Sequence, residues 1–437
     1  MKLFVRLFLL SLLLSLAFSA VSAQDEMIVI DFYYPSAVDA NLQALFERYA
    51  EMFSAQNPNV TVNVNYTGSY TQTRDTIRTE LDAGQTGPDV AVMLAIDLFS
   101  FIENGSIMPA QMFIDQMEDG EAFVADFFPA FLLNSVDEDG VIWSIPFQRS
   151  TPILYYNKDL FAEAGLDPEQ PPRSLEELIE FADLLTTDDR WGFMLPIAGG
   201  FPIWLYQSFA IAHGQNLVEE SPAEVFFNTP EGLAALQAIN DLGNLYGVMP
   251  AGGTAWGETP EAFTAGRAAM IYHTTGSLTS ILNNAPFEVG TGFLASGPAN
   301  EDGTGYGAPT GGGNLYIFND PNRSEAELEA IWNWVMFLAS PEIQSDWGAA
   351  TGYIAARQSA WELDPLASLV EEFPQYAVAR DQLAFSQKEF SSFRTIDIQG
   401  IINTTLSGII SGDVTDAAAA LATAQAQIDA LLEPYRQ

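Results

Sequence analysis

The spacing of apolar positions changes repeatedly along the chain, and each change predicts an element. Residues 27–34, MIVIDFYY, form a β-branched and aromatic run that predicts a buried strand. From Asn41 the apolar residues Leu42, Leu45, Phe46, Tyr49 and Phe53 recur at helical spacing. Glu47, Arg48 and Glu51 fall outside that stripe, and the turn NPN at 57–59 ends it. Residues 60–66, VTVNVNY, alternate apolar and polar as a half-buried strand does. A polar helix over about residues 71–83 and an apolar strand at 89–94 complete a βαβαβ series. Such alternation predicts an α/β fold with a parallel sheet covered by helices on both faces.

The alternation resumes after IPFQRSTPILYYN, residues 145–157. Ser174 and Glu177 predict a reciprocal capping box ahead of Leu178, Phe181, Ala182 and Leu185. Further helices are predicted after Thr229 and Pro230, near Thr259 and Pro260, and over 325–338, 341–350 and 416–432. Residues 296–313, SGPANEDGTGYGAPTGGG, read as one long turn-rich loop, a length that favours a functional role.

The first 23 residues have a different character. Lys2 and Arg6 precede the apolar run 7–18, and the small residues SAVSA follow. This predicts a signal peptide cut before Gln24, and so a soluble protein outside the cytoplasm, periplasmic or extracellular. No cysteine occurs, which excludes disulfides and a lipid-bearing cysteine at the cut. The 437 residues are 48% hydrophobic, ample for the cores of two or three domains. Sixteen Lys and Arg face 57 Asp and Glu, for a net charge of −41. That field repels phosphate backbones, so nucleic acid and anionic membranes are excluded as partners.

Little in the sequence points to catalysis. No nucleophilic cysteine, GxSxG motif or phosphate loop is present, and His213 and His273 share no metal-ligand spacing. No cofactor or metal is expected. The alternative to a binding protein is a secreted carbohydrate-active enzyme using paired cleft carboxylates, for which the many acids supply candidates. Several aromatics stand in turns beside glycine: Tyr70 in YTGSYTQ, Trp204 in GGFPIWLYQ and Tyr353 in ATGYIAA. Such positions offer a ring face and a polar group to a ligand with apolar edges.

The segments YTGSYTQ (66–72), PFQRSTPILYYNKDLFAEAGLDPEQPPRSLEEL (146–178), GRAAM (266–270) with TGSL (275–278), the glycines 311–313 and WGAATGYIAA (347–356) carry a resemblance. In sequence and in order, the mature chain resembles the carbohydrate-type extracellular solute-binding proteins of ABC importers, most of all the branch that binds glycerol phosphate. The resemblance implies a two-lobed periplasmic-binding-protein fold (type II), with the ligand cleft between lobes joined by hinge strands. It implies a non-catalytic monomer that hands a small solute to an ABC permease. Interlobe crossings are expected near 144–147, 272–275 and 317–321. The first lobe would then take 24–145 and 274–319, and the second 146–273 and 320–437.

The site carried over falls on Tyr70, Ser150, the turn at Thr274 with Thr275 and Ser277 as contacts, Gly312 and Tyr353, with Trp204 as a further aromatic. Two positions depart from the family pattern. Ala95 stands where a glutamate holds glycerol hydroxyls, with Asp97 as a substitute nearby, and Gln399 stands where an arginine holds phosphate. Losing that arginine removes a bidentate, charge-assisted contact, which Arg149 or Arg394 could restore. The ligand stays open between sn-glycerol-3-phosphate or a glycerophosphodiester and a neutral sugar or polyol.

Overall fold

The computed structural model describes residues 27–38, 42–198 and 202–436. The expected signal peptide and its cut lie outside the described residues. Strands β1 (Ile28–Tyr34), β2 (Val60–Tyr66), β3 (Val90–Leu94), β4 (Ile107–Met108) and β5 (Ile145–Ser150) come first in the chain. Strands β6 (Pro152–Asn157), β7 (Trp191–Met194), β8 (Ala268–Thr274) and β9 (Val289–Gly292) follow. Strands β10 (Ala308–Pro309), β11 (Gly311–Phe318) and β12 (Ser386–Gln387) complete the set.

The first lobe is built on the sheet β2-β1-β3-β11-β4, with β5 attached to β11. Its early half is parallel, as the βαβαβ reading predicts, with Ile28 opposite Val60 and Tyr34 opposite Tyr66. The sheet is nevertheless mixed, because β11 runs antiparallel to β3, β4 and β5. β1 turns Ile30, Phe32 and Tyr34 inward. Helix Leu42–Gln56 covers them with the predicted stripe, which also takes in Ala50. The cover is largely aromatic. Phe32 lies 5.1 Å from Phe46 and 5.5 Å from Trp334, and Trp347 lies 4.8 Å from Phe147.

Trp334 and Trp347 belong to helices Glu325–Leu338 and Pro341–Thr351. These helices therefore pack on the first sheet rather than in the second lobe, where residues 320–437 were expected. The open apolar face of β1 requires them. A second correction concerns β9, expected in the first lobe, which pairs antiparallel with β6 from Leu154–Gly292 to Asn157–Val289.

The second lobe holds the sheet β7-β8-β6-β9. Helix Pro202–Ala212 is buried on nearly every side, as its uniformly apolar sequence requires. It packs with helices Pro230–Asn244 and Thr395–Ile410, and Ala417–Leu432 closes that core. The capping of helix Leu175–Leu185 is only half as predicted. Ser174 accepts from the Glu177 amide, but the Glu177 carboxylate takes the Arg173 amide at 2.8 Å instead of the Ser174 amide.

The chain passes between the sheets at places other than those expected. Residues 144–147 lead into β5, and the passage falls at Thr151, between β5 and β6. Residues 272–275 stay with the second sheet, since β9 follows there, and the return comes between β9 and β11. Residues 317–321 end β11 and lead to the helices on the first sheet. The segment 386–392 forms a further link: β12 pairs with β10, the Ser391 hydroxyl donates to the Ile96 carbonyl, and the Ser392 hydroxyl donates to the Pro222 carbonyl.

The glycines 311–313 lie in β11 rather than in a loop. Gly312 has φ of +88°, and a Cβ there would stand 2.1 Å from the Gln148 carbonyl oxygen. Both the left-handed backbone and the close approach of β5 demand glycine. Gly312→Ala is expected to lower unfolding free energy by about 2–4 kcal/mol. Urea unfolding checks this, and a loss below about 1 kcal/mol would show that β5 and β11 can part cheaply.

Candidate functional site

A cleft of about 390 Å³, counting its open mouth, lies where the two sheets meet. Ala37, Tyr70, Leu94, Ser150, Trp204, Trp256, Thr274, Gly312, Tyr353 and Glu389 line it. Tyr70 opens helix Tyr70–Asp82, whose start is fixed by a reciprocal box between Ser69 and Gln72. Tyr353 follows Gly352, the left-handed end of helix Pro341–Thr351, and stacks 5.8 Å from Trp347. Gln148 joins the two tyrosines, its Nε2 donating to the Tyr70 hydroxyl at 2.6 Å and to that of Tyr353 at 3.3 Å.

The three consecutive glycines of β11 make room for this lining. A Cβ on Gly311 would meet the Trp204 ring at 2.5 Å, and one on Gly313 would stand 3.1 Å from the Tyr70 hydroxyl. Trp204 is anchored by its Nε1, which donates to the Thr310 carbonyl at 2.9 Å. Trp256 lies 6.0 Å from Trp204, and its Nε1 donates across to the Ala37 carbonyl at 3.2 Å.

The structure thus gathers Tyr70, Ser150, Trp204, Gly312 and Tyr353 on one cleft. Of the turn at 274–277, Thr274 reaches the lining. Thr275 is buried with its Oγ1 unpartnered, and Ser277 turns away to hold His273, with its hydroxyl 2.9 Å from Nδ1. The Nε2 of His273 lies 3.1 Å from the Trp256 carbonyl, which can only accept. Nε2 therefore carries the hydrogen and Nδ1 accepts from Ser277. Burial pushes this imidazole down to about 4, so the neutral form holds Trp256 in place.

The charged candidates separate into two groups. Arg149 is fully buried beneath the cleft floor, its Nη1 donating to Asn314 Oδ1 at 3.1 Å and its guanidinium 4.9 Å over the Phe131 ring. Its Nε and Nη2 have no hydrogen-bond partner among the described residues. Burial pushes it down to about 10, which leaves it charged at neutral pH. Asp97 is also buried beneath the lining, 3.3 Å from Arg74 Nε, and burial raises its pKa despite that pairing. Ala95, in the same turn, offers its carbonyl to the Tyr316 hydroxyl at 3.2 Å.

Arg394 and Gln399 lie off the cleft lining. Arg394 is exposed and paired with Asp397 at 2.7 Å, and Gln399 sits half-buried on helix Thr395–Ile410. That helix was not anticipated, and it carries both residues away on the second lobe.

Glu389 and Trp256, with the apolar Ala37 and Leu94, are the lining residues that sequence reasoning missed. Glu389 is 6% exposed, and its Oε2 is buried without a hydrogen-bond partner among the described residues. Burial pushes its carboxyl up to about 8, opposed by Arg149 and reinforced by Asp97. Its backbone is clamped by Asn134, whose Oδ1 accepts from the Glu389 amide and whose Nδ2 donates to the Glu389 carbonyl, both at 3.0 Å. Nothing local in KEFSSF announces an acid that a distant asparagine will hold in a cleft. Chemically the lining offers four ring faces, the aliphatic hydroxyls of Ser150 and Thr274, and one carboxyl.

Comparison with known proteins gives the same picture. Residues 48–374 match the family described as bacterial extracellular solute-binding protein. The sn-glycerol-3-phosphate-binding periplasmic protein UgpB of Yersinia pseudotuberculosis is 28% identical over 380 residues, covering 85% of this chain and 83% of that one. UgpB from Mycobacterium tuberculosis, solved in complex with glycerophosphocholine, superposes with a TM-score of 0.79 at 22% identity, covering 93% of this chain and 99% of the other. Maltose-bound T. maritima MalE3 gives 0.78 at 21% identity, covering 92% and 100%. The chain belongs to the bacterial extracellular solute-binding proteins, with the two-lobed fold and interlobe cleft of that family.

Proposed function

We propose that this protein captures a small polyhydroxylated solute, a sugar, a polyol or the glycerol end of a glycerophosphodiester, and delivers it as a monomer to an ABC permease. The lining of the cleft carries this reading: Tyr70, Trp204, Trp256 and Tyr353 surround Ser150, Thr274 and Glu389. Ring faces cover the C–H faces of such a solute, while hydroxyls and the carboxyl take its hydroxyl groups. The solute touches both lobes, so it binds the closed form best and shifts the population toward the shape a permease reads.

A free phosphate monoester suits this lining less well. Among the described residues the lining carries no Lys or Arg to meet its two negative charges. The glycerophosphodiester reading is favoured by a specific observation, the unpartnered Nε and Nη2 of Arg149 below the floor. A single-charge diester needs only one such cation. The UgpB relatives, named for sn-glycerol-3-phosphate or solved with glycerophosphocholine, support the same chemistry.

Calorimetry and thermal shift on residues 24–437 test the reading, with maltose, glycerophosphocholine and glycerol-3-phosphate as ligands. Maltose or glycerophosphocholine is expected to raise the melting temperature, because a ligand that binds only the folded form stabilises it. Binding of glycerol-3-phosphate alone would overturn the solute class, and turnover of any of the three would overturn the binding role.

Trp204→Ala is expected to weaken binding about 10- to 100-fold, as loss of a buried aromatic anchor does. Arg394→Ala and Gln399→Ala should leave affinity unchanged. An equal loss from Arg394→Ala would mean that the solute reaches beyond this cleft.

A further inference from the structure

The link 386–392 does more than join the lobes, because it carries Glu389 into the cleft on a backbone fixed at both ends. On the first-lobe side Asn134 holds both the amide and the carbonyl of Glu389. On the second-lobe side Gln207 accepts from the Phe390 amide at 3.0 Å and donates to the Lys388 carbonyl at 3.0 Å, and Asn216 donates to that carbonyl at 3.0 Å. Three side-chain amides thus leave this short stretch little freedom. A rigid mount for a carboxyl whose Oε2 has no hydrogen-bond partner among the described residues is what recognition of a ligand requires.

We propose that Glu389 is the residue that selects the solute, its carboxyl accepting hydrogen bonds from adjacent solute hydroxyls. This deepens, and rests on, the polyhydroxylated-solute reading above. Asp97, the expected acid, lies 3.3 Å from Arg74 Nε and does not reach the lining. Glu389 does reach it.

A proton is coupled to this recognition. The charged and titratable groups facing Glu389 are Arg149 from β5, Asp97 from the turn after β3, Tyr70 from its helix start and Tyr316 from β11. Lys388, the chain neighbour, points instead toward the Phe99 ring, 5.5 Å from its centroid. Burial outweighs the pull of Arg149, so at neutral pH the empty protein holds the proton on Glu389. Solute hydroxyls that donate to the carboxylate favour its ionised form, lowering its pKa when bound. Binding near pH 7 therefore sends the proton to the buffer, and affinity rises with pH until the carboxyl is already ionised, above about 8.

The experiment is calorimetry on residues 24–437 at pH 7 in phosphate and in Tris, whose ionisation heats differ, with maltose and glycerophosphocholine as probes. The expected result is an observed heat that depends on the buffer, with release of about half a proton or more per solute. Affinity should rise by up to about tenfold per pH unit between pH 6 and 8 and then level off. Glu389→Gln should abolish the release, flatten the pH profile and weaken binding about 10- to 100-fold.

The same variant shows through stability that its fold is intact. A carboxyl whose pKa is raised in the folded state loses its contribution as the unfolded chain ionises and the folded one does not, so the contribution of Glu389 to wild-type stability falls as pH rises from about 4.5 to about 8. Glu389→Gln lacks this loss. Its melting temperature should match wild type at pH 4 and exceed it at pH 8. Solute binding with no proton release, or with the same pH profile in Glu389→Gln, overturns the assignment. Failure of both probes to bind wild type overturns the solute reading and this inference with it.

Discussion

Antiparallel pairing of β5 with β11 brings two backbones together at Gly312, where a single added carbon would collide with the Gln148 carbonyl. The site grows out of this contact. Gly311 admits the Trp204 ring from the second lobe, and Gly313 leaves space for the Tyr70 hydroxyl from the first. On the opposing strand Gln148 ties Tyr70 to Tyr353, while Ser150 reaches the lining. The polar and aromatic walls therefore share one floor whose shape is set by main chain. A floor of main chain cannot relax by changing rotamers, so the strand contact keeps its shape whatever the side chains do.

Buried charge beneath that floor obeys a second constraint. Removing an ion from water costs several kcal/mol unless partners replace the lost hydration. Arg149 meets the cost with Asn314 and the face of Phe131, and Asp97 with Arg74. Glu389 meets it by keeping its proton, so these groups leave one net positive charge, on Arg149, although the chain carries −41. The surface acids do not reverse this, because salt screens exposed charges over about 10 Å at 0.1 M. Selection inside the cleft is thus separated from the repulsive field outside it, which discourages multiply charged anions before they arrive.

What the sequence disclosed follows from the range of the forces involved. The stripe Leu42, Leu45, Phe46, Tyr49 and Phe53 was legible because one helix turn sets its period. Tyr70, Ser150, Gly312 and Tyr353 were legible as family positions, and Trp204 as an aromatic beside glycine, although it stands on helix Pro202–Ala212 rather than in a turn. The lobe crossings were not, because which sheet accepts β9 or helix Glu325–Leu338 depends on pairings between residues far apart in sequence. Arg394 and Gln399 were misread as contacts because the helix that removes them starts without a side-chain cap, after Arg394 at φ +55°. Glu389 was missed because its meaning comes from Asn134, 255 residues earlier.

The placement of the lining residues also explains how binding can drive closure. Thr151, Thr310 and Gln387 lie on separate links between the lobes, joined by bonds from the Thr151 hydroxyl to the Pro309 carbonyl and from the Thr310 amide to the Gln387 carbonyl, at 3.0 and 2.9 Å. Ser150, Gly312 and Glu389 follow or precede these by one or two residues. A ligand shifts a conformational equilibrium only by its difference in affinity for the two states. Here that difference has a structural source. Tyr70 and Trp204, carried by opposite lobes, stand on one cleft, and Trp204 is also tied to a link by its Nε1 bond to the Thr310 carbonyl. A solute that binds residues of both lobes makes its full set of contacts only when the lobes are together. That asymmetry turns affinity into closure, and the bond from Trp256 to the Ala37 carbonyl shows the lobes already meeting at the mouth.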